Sequence, residues 1–138
     1  MFKTLLFRAL LILFVSGAAA CGSTTTTPTT GVIATTTYVS RIQEKGSAWR
    51  SFQVPTAGTV TVQLTSLTQG DAVVRLSLGT VSGTNCIASQ SIDTVATSAA
   101  SSPQISTTLA IGTYCVRIAD IGNLTMMVDF SVTIVTPY

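Results

Sequence analysis

The chain of 138 residues contains no histidine. That removes the commonest general base near neutral pH, the Ser-His-Asp and Cys-His nucleophilic systems, and imidazole-based zinc sites. Charge is nearly as scarce, at 9% of residues where soluble domains carry about a quarter. The formal net charge of +2 belongs to Lys3 and Arg8. From residue 21 onward Arg41, Lys45, Arg50, Arg75 and Arg117 balance Glu44, Asp71, Asp93, Asp120 and Asp129. No basic patch remains to follow a phosphate backbone, so nucleic acid is not an expected partner. Lys45 sits in a Gly-Ser turn, a solvated position unsuited to activating a serine. The carboxylates are few and scattered, with Asp120 opening a turn and Asp129 alternating outward on a strand. They form no evident acid–base pair for glycoside chemistry, and Asp120, Asn123 and Asp129 offer too few oxygens for a calcium site. The expectation is a protein that is not an enzyme and carries no cofactor or metal.

What is present first is an address. Residues 1–20 combine a basic start, an apolar run Ala9–Val15, and the small residues Ser16-Gly17-Ala18-Ala19-Ala20. This is the anatomy of an export signal, and its apolar run is too short to span a bilayer as a stable helix. Cys21 follows immediately, and the segment resembles the lipobox of bacterial lipoproteins. The resemblance implies cleavage before Cys21, acylation of that cysteine, and attachment to the membrane through acyl chains, each buried methylene adding about 0.8 kcal/mol. The expected location is the bacterial cell envelope. Ala18-Ala19-Ala20 also satisfies the Ala-x-Ala rule, so secretion without a lipid is the alternative.

Three cysteines in an exported chain leave one over, and lipidation of Cys21 removes it. Cys86 and Cys115 then form the natural disulfide pair of an oxidising compartment. Closing a loop of that length stabilises a small domain by about 3–4 kcal/mol on the chain-entropy model. Cys115 alternates with Arg117, opposite Tyr114 and Val116, so the bridge is expected on the outer face or at an edge, tying the Ser82–Asn85 loop to the sheet.

Ser23–Thr37 holds nine threonines with Pro28 and Gly31 and no charge. Such a segment buries too little apolar surface to offset its ordering entropy and reads as a tether of about 20 Å reach. The alternative is that Val32–Thr37 begins an edge strand. After Thr37 the pattern is β throughout. Val60, Val62 and Leu64 alternate with threonines in Thr59–Leu67, and Val74, Leu76 and Leu78 share one face of Val73–Leu78. Tyr114, Val116 and Ile118 oppose Cys115, Arg117 and Ala119, and Met126, Val128, Phe130, Val132 and Ile134 oppose Met127, Asp129, Ser131 and Thr133. Weaker candidates are Tyr38–Ile42, Ala48–Val54, Cys86–Ile92 and Gln104–Leu109. Turn residues separate these runs, as in Lys45-Gly46-Ser47, Gln69-Gly70-Asp71 and Ser82-Gly83-Thr84-Asn85. Seven to eight short strands without a helical period predict an antiparallel β-sandwich. The domain plan is a signal at 1–20, a lipidated cysteine and Thr-rich linker at 21–37, and a sandwich at 38–138.

Within that sandwich, Trp49-Arg50-Ser51-Phe52-Gln53-Val54 followed by Gly58-Thr59-Val60 resembles the opening of bacterial pre-peptidase C-terminal (PPC) domains. Gly70-Asp71 and Gly112-Thr113-Tyr114-Cys115-Val116-Arg117-Ile118 are similar to that family's middle and end. The resemblance implies a jelly-roll-like module that assists secretion or binds polymers and is not itself catalytic. Some relatives bind calcium; here Val73 and Val74 stand where further acidic residues would be needed, so no metal is expected.

Trp49, the single tryptophan, is the sharpest binding candidate. It alternates with Ser51 and Gln53, opposite Phe52 and Val54, and so offers an aromatic platform for a sugar ring; a lone Trp also commonly seals the end of a sandwich core. Tyr38 and Tyr138 join it only if the chain ends converge. The expected function is a lipid-anchored, non-catalytic module whose partner is a polysaccharide or an envelope protein. The alternative is an assembly protein that acts through a sheet edge.

Overall fold

In the computed structural model the described residues are 31–138; the signal, Cys21 and most of the Thr-rich stretch lie outside them. Period-two alternation becomes strand at all eight expected places, and no helix forms among the described residues. The strands are β1 (Ile33–Ile42), β2 (Ser47–Val54), β3 (Gly58–Leu67), β4 (Val74–Ser82), β5 (Asn85–Thr94), β6 (Ile105–Leu109), β7 (Gly112–Asp120) and β8 (Val128–Pro137).

They build two antiparallel four-stranded sheets, ordered β1-β8-β3-β6 and β2-β7-β4-β5. The pairing is nested. The β4–β5 hairpin lies innermost, and β3–β6, β2–β7 and β1–β8 follow outward. Such a ribbon, rolled until β8 meets β3 and β7 meets β4, is an eight-stranded jelly roll. Rolling is favourable because the inward residues of both layers are apolar. Val60, Val62, Leu64, Val74, Leu76, Val116, Ile118, Phe130 and Val132 are fully buried between the sheets. Tyr38 packs edge-on against Phe130, with ring centroids 5.3 Å apart.

The innermost hairpin turns through Gly83 and Thr84, between Ser82 and Asn85. Gly83 takes the positive φ of 58° that a tight two-residue turn needs at its first central position. Beside the short β6, the edge of β3 is completed by side chains of the 95–104 loop. Gln104 Oε1 accepts from Leu64 N–H at 2.9 Å, and Gln63 Nε2 donates to Ser98 O at 2.7 Å.

Two boundaries differ from expectation. Ile33–Thr37, assigned to the linker at 21–37, belong to β1 and pair with Thr133–Pro137 of β8, so the sandwich starts near residue 33 rather than 38. Pairing satisfies the backbone of these residues while Ile33, Thr35, Thr36 and Thr37 stay exposed, so no buried pattern marked them. Met126, expected to face inward, precedes β8 and is 56% exposed.

Candidate functional site

The outer face of the β2-β7-β4-β5 sheet carries the disulfide and Trp49. Along β2, Ala48, Phe52 and Val54 turn toward the core, which sends Ser47, Trp49, Ser51 and Gln53 outward. Antiparallel register sets Trp49 directly opposite Arg117 of β7, and Arg117 opposite Ser77 of β4. Cys115 lies two residues before Arg117 and shares its face.

A local irregularity reshapes this surface. The β4–β5 register shifts between Leu78 and Gly79, leaving Ser89 as an extra residue on β5 whose hydroxyl donates to Leu78 O at 3.1 Å. Beyond that bulge, the first part of β5 folds over the outer face of β4. A Cβ placed on Gly79 would lie 1.9 Å from Ile87 O and 2.8 Å from Ala88 Cα, so the absent side chain is what admits the strand. Cys86 thereby passes over β4 to reach Cys115 on β7, with a Cα–Cα distance of 5.8 Å. In a flat sheet, strands flanking a third stand about 9.5 Å apart. The bridge falls on the outer face beside the Ser82–Asn85 turn, as alternation predicted, yet the overlying strand buries Cys115 completely.

The folded-back strand makes one wall of a hollow of about 370 Å³. Ser47, Trp49 and Arg117 form its floor and Asn85, Cys86 and Ile87 its rim. Trp49 is half-buried here and lies outside the core cluster. Its indole N–H has no side-chain or backbone acceptor among the described residues. Arg117 Nη2 donates to Ser47 Oγ at 3.1 Å, and no carboxylate pairs with Arg117 among the described residues. Two other arginines are matched, Arg41 to Asp129 at 2.6 Å and Arg75 to Asp93 at 2.7 and 2.9 Å. The Arg75 hydrogen bond holds the Asp93 carboxyl below the ordinary aspartate range.

Other sequence candidates lie elsewhere. Tyr38 is a core residue, and the Arg50 guanidinium sits 5.8 Å above its ring. Tyr138 is exposed and lines a separate hollow of about 380 Å³ between β1 and β2, with Phe52 and Pro55. Neither tyrosine joins Trp49. Asp120 is a turn anchor. Its Oδ1 accepts from the N–H groups of Gly122, Asn123 and Leu124 at 2.8–3.2 Å, and its Oδ2 accepts from Lys45 N–H at 2.7 Å. These backbone bonds, that from Lys45 foremost, hold its carboxyl below the ordinary value. Asp129 pairs with Arg41, and Asn123 Nδ2 donates to Val73 O at 3.1 Å. Asp120, Asn123 and Asp129 are thus each engaged with separate partners.

Arg117 and Gly79 are the members that sequence reading passed over. Both left a signal: Arg117 shares the parity of Cys115, and Gly79 interrupts an otherwise apolar strand, a mark of close backbone approach.

No protein-family model matches this chain, and no curated protein matches it. Among solved structures, it is similar to the crystal structure of the Yersinia pseudotuberculosis-derived mitogen, with a TM-score of 0.50 and 17% identity, covering 77% of this chain and 86% of that one. At that identity the likeness is one of fold, and the fold is the β-sandwich.

Proposed function

We propose that this chain is an exported, lipid-anchored, non-catalytic module of the bacterial cell envelope that binds a polysaccharide in the hollow floored by Trp49, and that its sandwich is a divergent PPC-type domain. The observation that carries the binding assignment is Trp49 itself. A large apolar ring sits on the outer face of a sheet, outside the core, flanked by Arg117, Ser47 and Asn85. Sugar rings stack their C–H faces on such aromatic surfaces while polar neighbours satisfy their hydroxyls. A hollow of about 370 Å³ suits one or two rings. The Cys86–Cys115 bridge is in keeping with an oxidising compartment, and Cys21 after its apolar run supplies the anchor.

Glycan-array binding by the purified full-length chain tests this, with loss on Trp49→Ala as the expected result. Mass spectrometry of the mature N-terminus tests the anchor; an unmodified thiol on Cys21 refutes it. One observation favours assembly through a sheet edge instead: β5 is a ten-residue edge strand with Ile87 and Ile92 exposed. The bulge at Ser89 turns that edge out of line, which weakens it as a pairing template. Co-purification of an envelope protein that survives Trp49→Ala and is lost on Ile92→Pro would establish the second reading.

A further inference from the structure

We infer that the hollow selects acidic saccharides, with Arg117 as the group that reads the negative substituent; this rests on the sugar-binding assignment of the same site. The unmatched charge is the basis. Of the two arginines on the outer face of this sheet, the exposed Arg75 is held in a two-point pair with Asp93, while the half-buried Arg117 meets only the Ser47 hydroxyl. A guanidinium carries five N–H donors in a planar fork that matches a carboxylate, and one bond to a neutral hydroxyl leaves most of them open. None of the six residues lining the hollow is acidic. The acids nearest along the chain belong to the turn beyond Ser47 and Ala119. There Asp120 is saturated by four backbone N–H groups, and Glu44 lies exposed beside Lys45.

Geometry places charge and platform together. Trp49 and Arg117 are direct cross-strand partners, so their side chains leave the sheet side by side on one face. A ring stacked on the indole therefore presents its substituents toward the guanidinium. Half-burial strengthens that contact relative to open water, since Arg117 lies under the rim formed by Asn85–Ile87. Asn85 adds an amide on the same rim, able to donate to or accept from ring hydroxyls. A neutral sugar offers Arg117 only hydroxyl oxygens, whereas a uronic acid offers it a carboxylate that its fork can grip at two points.

The test compares oligomers of galacturonate, glucuronate and mannuronate with their carboxyl-reduced counterparts of equal length, titrated into the full-length chain by calorimetry. At least one acidic series is expected to bind about tenfold or more tighter than its reduced partner, as a hydrogen bond to a charged group allows, with affinity falling as salt rises. Arg117→Gln should reduce that ratio to near one, with the loss falling chiefly on the acidic oligomers; Trp49→Ala should weaken both series. Equal binding of acidic and reduced series, or a ratio unaffected by Arg117→Gln, overturns the acidic selectivity and leaves sugar binding standing. Binding of no oligomer by protein with an intact disulfide and β-rich circular dichroism overturns the sugar assignment itself.

Discussion

Gly79→Ala replaces one hydrogen with a methyl group, and the structure makes its effect unusually large. In an ordinary strand the substitution is neutral or gains about 0.5–1 kcal/mol, because glycine loses the most backbone freedom on folding. At Gly79 the new methyl would lie 1.9 Å from Ile87 O and 2.6 Å from its carbonyl carbon, where contacts under 3.0 Å do not occur. The first half of β5 must therefore retreat by about 1 Å or more. Retreat is opposed by the Cys86–Cys115 bridge, which pins the adjoining residue to β7. Overpacking against a restrained backbone costs about 2–3 kcal/mol, which for a domain of this size lowers Tm by on the order of 10 °C. Urea unfolding followed by circular dichroism measures it. Gly112→Ala is the internal control, since the nearest atom to its new methyl is Tyr114 Cε2 at an ordinary 3.5 Å, and no loss is expected. The bridge-free background Cys86→Ser/Cys115→Ser completes a cycle. There β5 is free to lift, and the cost of Gly79→Ala should drop below about 1 kcal/mol. A Gly79→Ala midpoint at or above the parent's, or an equal loss in both backgrounds, would refute the reasoning.

Two further outcomes follow from the turn that joins β1 to β2. Asp120 has its carboxyl lowered by backbone hydrogen bonds, so its contribution is complete above the unfolded aspartate value and fades as pH falls through the lower folded one. Asp120→Asn should therefore melt below the parent at pH 7, with the gap in calorimetric Tm closing as pH drops from about 4 toward 2; a constant gap would show that the carboxylate charge is not what binds the turn. Lys45 holds a positive φ of 57°, a conformation that costs non-glycine residues about 1 kcal/mol or more. Lys45→Gly keeps the N–H that Asp120 accepts and should raise stability by about 0.5–1 kcal/mol in urea unfolding, whereas a lowered midpoint would show that the lysine side chain contributes more than its backbone costs.

How far the candidate site was legible differs residue by residue. The outward direction of Trp49 followed from its opposition to Phe52 and Val54, and the outward bridge from the opposition of Cys115 to Val116. The pairing of Trp49 with Arg117 did not follow, because the two are far apart in sequence and register is set by long-range packing. The hollow's rim was hidden for a stronger reason. It exists only because β5 crosses over Gly79, and nothing in the alternation of Asn85–Thr94, almost wholly exposed, indicates a strand that leaves its plane.

By itself the sequence determined where the eight strands lie, which of their faces turn inward, and the absence of any imidazole chemistry. These are local or compositional properties: strand periodicity is written in successive side chains, and a histidine that is missing stays missing in every fold. Only the tertiary structure decided the rolled order β1-β8-β3-β6 over β2-β7-β4-β5, the place of Ile33–Thr37 in β1, and the meeting of Trp49, Arg117 and the folded-back β5 in one hollow. Those depend on which strands become neighbours, and neighbours are chosen by burial of the whole core rather than by any one segment.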